Sequence, residues 1–165
     1  MTIIKRAKLL PGQESVWDYP RPPRLEDCHL QVQVVANGKT IADSIRTKRV
    51  LETSHPPVFY IPPQDIEMDV LKPESSRSFC EWKGEAKYAS VVVAGKSIRK
   101  AAWFYPHPTT AFHGIQGYVA FYPSKMDACF VDGERVLAQA GDFYGGWITS
   151  KIAGPFKGGP GTYGW

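Results

Sequence analysis

At 165 residues the chain is long enough for one domain with a substantial core, and its apolar content is that of a globular protein. Five Trp, eight Tyr and eight Phe make a heavy aromatic load, while 14 Pro and 15 Gly exclude long helices in favour of short strands and tight turns. The net charge of +4 is spread without a basic run, which argues against a nucleic-acid footprint and leaves a mild bias toward anionic partners.

The three cysteines, Cys28, Cys80 and Cys129, are widely separated. They form neither a disulfide framework nor a Cys-x-x-Cys zinc site, so reduced thiols in a cytoplasmic compartment are expected. Met1 to Leu10 carries Lys5, Arg6 and Lys8 within a short apolar stretch and lacks the core of a signal peptide. No apolar run approaches membrane-span length. The sequence leaves the oligomeric state open.

Pro11 to Arg24 is punctuated by proline, and Trp17, Tyr19, Pro20, Arg21, Pro22 and Pro23 suit an extended strap. Residues 1–27 are read as that strap, with Trp17 and Tyr19 packed onto a sheet. Leu30 to Val35 alternates apolar and polar residues up to Asn37-Gly38, a strong hairpin signal, and Thr40 to Ile45 returns. Arg46 to Thr53 reads as a strand broken by Ser54-His55-Pro56-Pro57. Val58 to Ile61 is a short apolar strand. Pro62-Pro63, with Asp65 and Glu67 following, opens one or two short helical turns that Pro73 closes.

Lys87 to Val93 forms a long strand. Gly95-Lys96 turns it, and Ile98 to Tyr105 returns with Ala101, Trp103 and Tyr105 on one face. Pro106 to Gly114 is a loop. Tyr118 to Tyr122 is aromatic and β-branched, hence a strand. Asp132-Gly133 turns a second hairpin between Asp127–Val131 and Glu134–Gln139. Residues 141–165 form a glycine- and aromatic-rich closing segment. The expected architecture is mainly β: a compact antiparallel two-sheet domain over residues 1–165, with one or two short helices.

Cys80-Glu81-Trp82-Lys83-Gly84 is the densest mixture of reactive and packing groups. Continued as a strand, it would set Cys80, Trp82 and Gly84 on one face and Glu81 and Lys83 on the other, toward a shared cleft. An edge strand with a surface ion pair is the alternative. His55 is fixed by Pro56, and Tyr60 follows on the next strand, so an imidazole and a phenol could serve as acid and base. No histidine pair falls at i, i+4, and no metal site is expected. The glycine-rich tail lacks both the Gly-x4-Gly-Lys-Ser/Thr phosphate loop and the Gly-x-Gly-x-x-Gly fingerprint, and no Gly-x-Ser-x-Gly elbow occurs.

Trp17-x-Tyr-Pro-Arg-Pro-Pro, Leu51-Glu-Thr-Ser-His-Pro-Pro, Tyr60-Ile-Pro-Pro-x-Asp, Cys80-x-x-Lys-Gly, Trp103-x-Tyr-Pro, Gly117-Tyr-Val-Ala-Phe-Tyr and the closing Tyr144-Gly-Gly-Trp through Gly158-Gly-Pro-Gly follow one another along the chain. Together they resemble domain-of-unknown-function family 427, catalogued in places under a nucleotidyltransferase-like name that the tail does not support. The resemblance implies a compact β domain similar to the β-tent architecture. It carries over no zinc, since the second cysteine of a knuckle is missing. It marks Arg21, His55, Tyr60, Lys83, Tyr122 and Tyr144 as positions of a shared site.

The expected function is an enzyme without organic cofactor, performing proton transfer, lyase or isomerase chemistry, or hydrolysis on a small anionic or aromatic molecule. His55, Tyr60, Lys83 and Glu81 are the candidate catalytic groups. Arg21, Trp17, Tyr19, Trp82, Trp103, Tyr122 and Tyr144 are the candidate substrate-binding groups. A non-catalytic ligand-binding module and a structural or peptide-interaction domain are the alternatives. Neither nucleic acid nor membrane is an expected partner.

Overall fold

The computed structural model describes residues 4–141 and 143–165. The chain is mainly β, with antiparallel strands joined by short 3-10 turns. None of the described helices is long and apolar enough to cross a membrane.

The strap supplies β1 (Glu14–Ser15) and a 3-10 turn in which the Ser15 hydroxyl accepts the Trp17 N–H at 3.2 Å. The strap is shorter than the sequence suggests. Arg24–Cys28 is itself a strand, β2, because prolines stop at Pro23 and freed backbone groups can pair. β3 (Val32–Ala36) and β4 (Lys39–Ser44) form the expected hairpin, with Asn37 and Gly38 both at positive φ, 45° and 77°, as a type I′ turn requires. β5 (Thr47–Leu51) and β6 (Val58–Tyr60) follow, then 3-10 turns at Pro63–Asp65 and Met68–Val70.

β7 (Leu71–Cys80) is a strand that the sequence hides behind Pro73 and two serines. It is the edge of its sheet, and its pairing slips between Pro73 and Arg77, so the proline occupies an edge where no ladder donor is needed. β8 (Gly84–Val93) and β9 (Lys96–Phe104) continue the meander. A 3-10 stretch spans Thr110–Ile115, within the expected loop. β10 (Val119–Phe121), β11 (Ala128–Val131), β12 (Glu134–Arg135), β13 (Leu137–Ala138), β14 (Trp147–Ile148) and β15 (Ile152–Ala153) complete the chain.

Two principal sheets result. One runs β12-β11-β3-β4. In the other, β10-β9-β8-β7 joins β2-β5-β6 through Ile61 and Val119, which exchange backbone hydrogen bonds of 2.9 Å in both directions. Strand alternation then sorts side chains between the faces of this large sheet. Phe59, Ile61, Val119 and Phe121 bury with Val32, Val34 and Ile41 in the inter-sheet core. Their neighbours Tyr60, Ala120 and Tyr122 join Tyr88, Trp103 and Tyr105 on the other face. A third cluster, Val16, Tyr19, Leu51 and Ile152, seats the strap, and Arg49 ties it down by pairing with Glu14 at 2.7 Å and Glu26 at 2.6 Å.

Candidate functional site

The stretch Cys80 to Gly84 is a hairpin tip rather than a continuing strand. Cys80 pairs across to Gly84, and residues 81–83 make the turn, so the expected alternation of Glu81 and Lys83 against Cys80 and Trp82 does not arise. Gly84 sits at φ 105°, a conformation that favours glycine. The tip is anchored from outside: the Thr109 N–H donates to Lys83 O at 3.0 Å and the Thr109 hydroxyl to Trp82 O at 2.6 Å. A rigid loop therefore fixes where Lys83 begins.

Beside this tip lies a cavity of about 450 Å³ on the aromatic face of the large sheet. Of the candidate residues, His55, Tyr60, Glu81, Trp82, Lys83, Trp103, Tyr122 and Tyr144 line it. Glu81 is exposed, at the rim. Trp17, Tyr19 and Arg21 do not line it. The strap holds them elsewhere: Trp17 donates to Pro155 O and packs edge-on against Trp165, and the Tyr19 hydroxyl donates to Glu14. Arg21 stands behind the cavity wall, bonded to Thr53 O at 2.8 Å and paired with Glu52 at 3.4 Å.

Two polar poles face this space. At the first, Tyr60 is fully buried and its oxygen accepts the Trp103 indole N–H at 3.2 Å, which leaves its own O–H as a donor. Burial raises the Tyr60 pKa, so the phenol is neutral at pH 7. Lys83 is half-buried, its ammonium 5.8 Å from the Tyr105 ring centroid and 5.9 Å from that of Phe112. Burial works against its charge, but the anionic charge that Tyr60 and Cys80 take on only at high pH, a hydrogen bond with Cys80 and the Glu52 carboxylate together outweigh it and hold the pKa above the ordinary lysine value. The first pole thus offers a cation and a neutral phenol donor.

The second pole was only partly visible in the sequence. Glu52, Gln139 and Lys157 join His55 there. Gln139 is buried, and its orientation is forced: Oε1 accepts the Gly146 N–H at 3.1 Å, so Nε2 must face Lys157 O at 2.7 Å and His55 Nδ1 at 3.2 Å. His55 Nδ1 is therefore an acceptor, and the ring proton sits on Nε2, which lies 3.6 Å from Glu52 Oε2. Burial first, then the charges of Lys157, Arg21 and Lys83, push the His55 pKa down to about 4. The imidazole is neutral with its lone pair already used. Glu52 belongs to the quoted Leu51-to-Pro57 motif, so its nearness to His55 was a local signal. Gln139 lies 84 residues from its histidine, and nothing local announces it.

The last wall comes from the closing segment. Gly145 lies flat on Trp103; a Cβ there would stand 2.2 Å from the indole. A Cβ on Gly146 would stand 2.5 Å from Gln139 Oε1 and 2.9 Å from Pro56 O. The glycines are there for close approach, and they bring Tyr144 edge-on to His55, with ring centroids 4.9 Å apart.

The sequence pattern of the family described as Domain of unknown function (DUF427) matches residues 24–132. The chain belongs to that family. No curated protein matches the sequence. The DUF427 match covers Glu52, His55, Tyr60, Lys83 and Tyr122, and stops before Gln139, Tyr144 and Lys157. The motifs at Trp17 and from Tyr144 onward lie outside it.

A second cavity, about 620 Å³, opens on the strap side of the DUF427 chain and is lined by Glu14, Glu26, Arg49, Trp147 and Lys151 among others. Five of its charged lining groups are already engaged, Arg49 with Glu14 and Glu26, Asp27 with Lys48 and Glu134 with Ser150, while Asp132 and Lys151 make no ion pair among the described residues. The smaller cavity, with donors still directed into it, is the better candidate. Among the described residues no group of three or more His, Cys, Asp or Glu side chains converges as a metal site.

Proposed function

We propose that the aromatic cavity is the active site of an enzyme that uses its own side chains to move a proton on a small molecule bearing a carbonyl or carboxylate oxygen. The observation that carries this reading is that Lys83 and the buried Tyr60 phenol line one aromatic cavity, close enough for each to shift the other's titration. A cation and a neutral donor lining the same cavity suit an oxygen that gains negative charge as a proton leaves the adjacent carbon. The volume suits a ligand of roughly 15 non-hydrogen atoms at ~30 Å³ each, as for water. Trp82, Trp103, Tyr122 and Tyr144 supply flat walls for a ring. Lyase and isomerase reactions that pass through an enol share this first step.

A non-catalytic binding module is the second reading. It is favoured by the state of His55, whose lone pair is taken by Gln139 and which therefore offers no base.

The test is deuterium uptake from D2O into the carbon beside the carbonyl of phenylpyruvate, which carries a ring, a carboxylate and an enolisable ketone. Wild type should exchange faster than buffer. Lys83→Met should lose roughly 2–4 kcal/mol of transition-state stabilisation while melting close to wild type. Tyr60→Phe should lose exchange in the same direction. Saturable binding without exchange would favour the binding module, and neither binding nor exchange would sink both readings.

A further inference from the structure

We infer that Glu52 is the proton acceptor of this site, and that His55 is a positioning residue locked as a neutral donor toward it. The inference rests on the proton-transfer reading above and names the group that reading leaves open.

Three imidazole or carboxylate side chains line the cavity as candidate bases: His55, Glu52 and Glu81. The Gln139 amide removes His55 from the set. Its Nε2 carries two hydrogens, one toward Lys157 O and one toward His55 Nδ1, and the reversed amide would set Oε1 against the Lys157 carbonyl and Nε2 against the Gly146 N–H. The only open ring position on His55 is the protonated Nε2, 3.6 Å from Glu52. Glu81 is exposed at the rim, where water competes for it. Glu52 remains. Its side chain is 23% exposed and lines the cavity. Arg21 at 3.4 Å and His55 at 3.6 Å approach it loosely, at charge-contact distance rather than as short hydrogen bonds. The carboxylate is thus oriented from two sides with lone pairs left for a substrate.

The step balances without a co-reactant. A Glu52 carboxylate oxygen takes the proton from the carbon beside the carbonyl. The C–H pair forms the new C=C bond, and the carbonyl π pair moves onto the oxygen held by Lys83 and Tyr60. Return of a proton, or of a deuteron from solvent, restores the ketone.

Two arms test this. The first needs no ligand. Long-range 1H–15N correlation NMR should show His55 protonated at Nε2 and bare at Nδ1 at pH 7; a proton on Nδ1 overturns the lock. The second uses phenylpyruvate exchange. Glu52→Gln should fall about 100-fold or more, the usual loss of a general base. His55→Gln, which keeps an N–H donor close to the Nε2 position, should retain more exchange than His55→Ala. If Glu52→Gln exchanges like wild type, or His55→Gln falls as far as Glu52→Gln, Glu52 is not the acceptor. Exchange that still depends on Lys83 would then leave the broader reading standing. Wild type failing to exchange phenylpyruvate removes both.

Discussion

The two faces of the large sheet are built from the same strands and do opposite things. Phe59, Ile61, Val119 and Phe121 point into the inter-sheet core, among aliphatic side chains such as Val32, Val34 and Ile41. Tyr60, Ala120, Tyr122 and Trp103, one residue out of phase, point into a space edged by Lys83, Glu52 and His55. The aromatic rings on this second face end in O–H and N–H groups. Tyr60 and Trp103 bond to each other, and Tyr122 donates to Phe143 O at 3.0 Å. A core face needs only volume and shape, whereas a site face also needs every buried polar tip to have a partner or a ligand. Register is what keeps the two apart, since a one-residue slip would exchange them.

The sharpest way to break the contrast is to truncate one residue on each face. Phe121→Ala should destabilise by about 3–5 kcal/mol, as large core truncations do. Tyr122→Phe removes one hydroxyl and should change stability by about 1 kcal/mol. Thermal or urea unfolding of the pair decides it; equal losses would mean the second face is ordinary core.

Acid should weaken the site face through His55. Its folded pKa of about 4 lies below the 6.5 of an unperturbed histidine, so the unfolded chain binds the proton first. The stability from keeping the ring neutral is complete above pH 6.5 and drains away as pH falls toward 4, by about 3 kcal/mol in all. Paired carboxylates titrate in acid as well, so the measurement is the difference between wild type and His55→Gln across that interval. A difference that does not change with pH would contradict the burial of this ring.

A smaller effect separates wall from floor. Gly145→Ala places a methyl against the Trp103 indole and should destabilise by roughly 1–3 kcal/mol, the range for overpacking. It should also quench or shift Trp103 fluorescence. A neutral outcome would show that the closing segment moves aside without penalty.

Hairpins were the most legible part of this fold, because Asn37-Gly38 and Asp132-Gly133 are residue types that tolerate positive φ. β7 was not legible, because Pro73 and the serines after it mimic a break, and only an edge with a slipped register accommodates them. On the site face, His55, Tyr60 and Lys83 are legible through proline-stiffened or strand-end positions, and Tyr122 through the family resemblance. Arg21 carries the family resemblance and a proline-stiffened backbone, and Trp17 and Tyr19 offer rings, but the path of the strap takes all three past the cavity. Gln139 and Lys157 escaped notice because their roles exist only once distant turns meet.

The closing segment has a consequence for how the molecule comes into being. Chains emerge from the ribosome with the N-terminal part first, and structure forms as residues become available. Trp147 tilts against Phe59 with ring centroids 5.0 Å apart and donates to Phe121 O at 3.2 Å, while Gly145 covers Trp103. Until the stretch from Gln139 to Lys157 has been synthesised, those rings stand uncovered and the cavity lacks a side. A half-made chain is therefore sticky and its cavity open on one side, and the same late step that hides its apolar surface from chaperones gives the cavity its final shape.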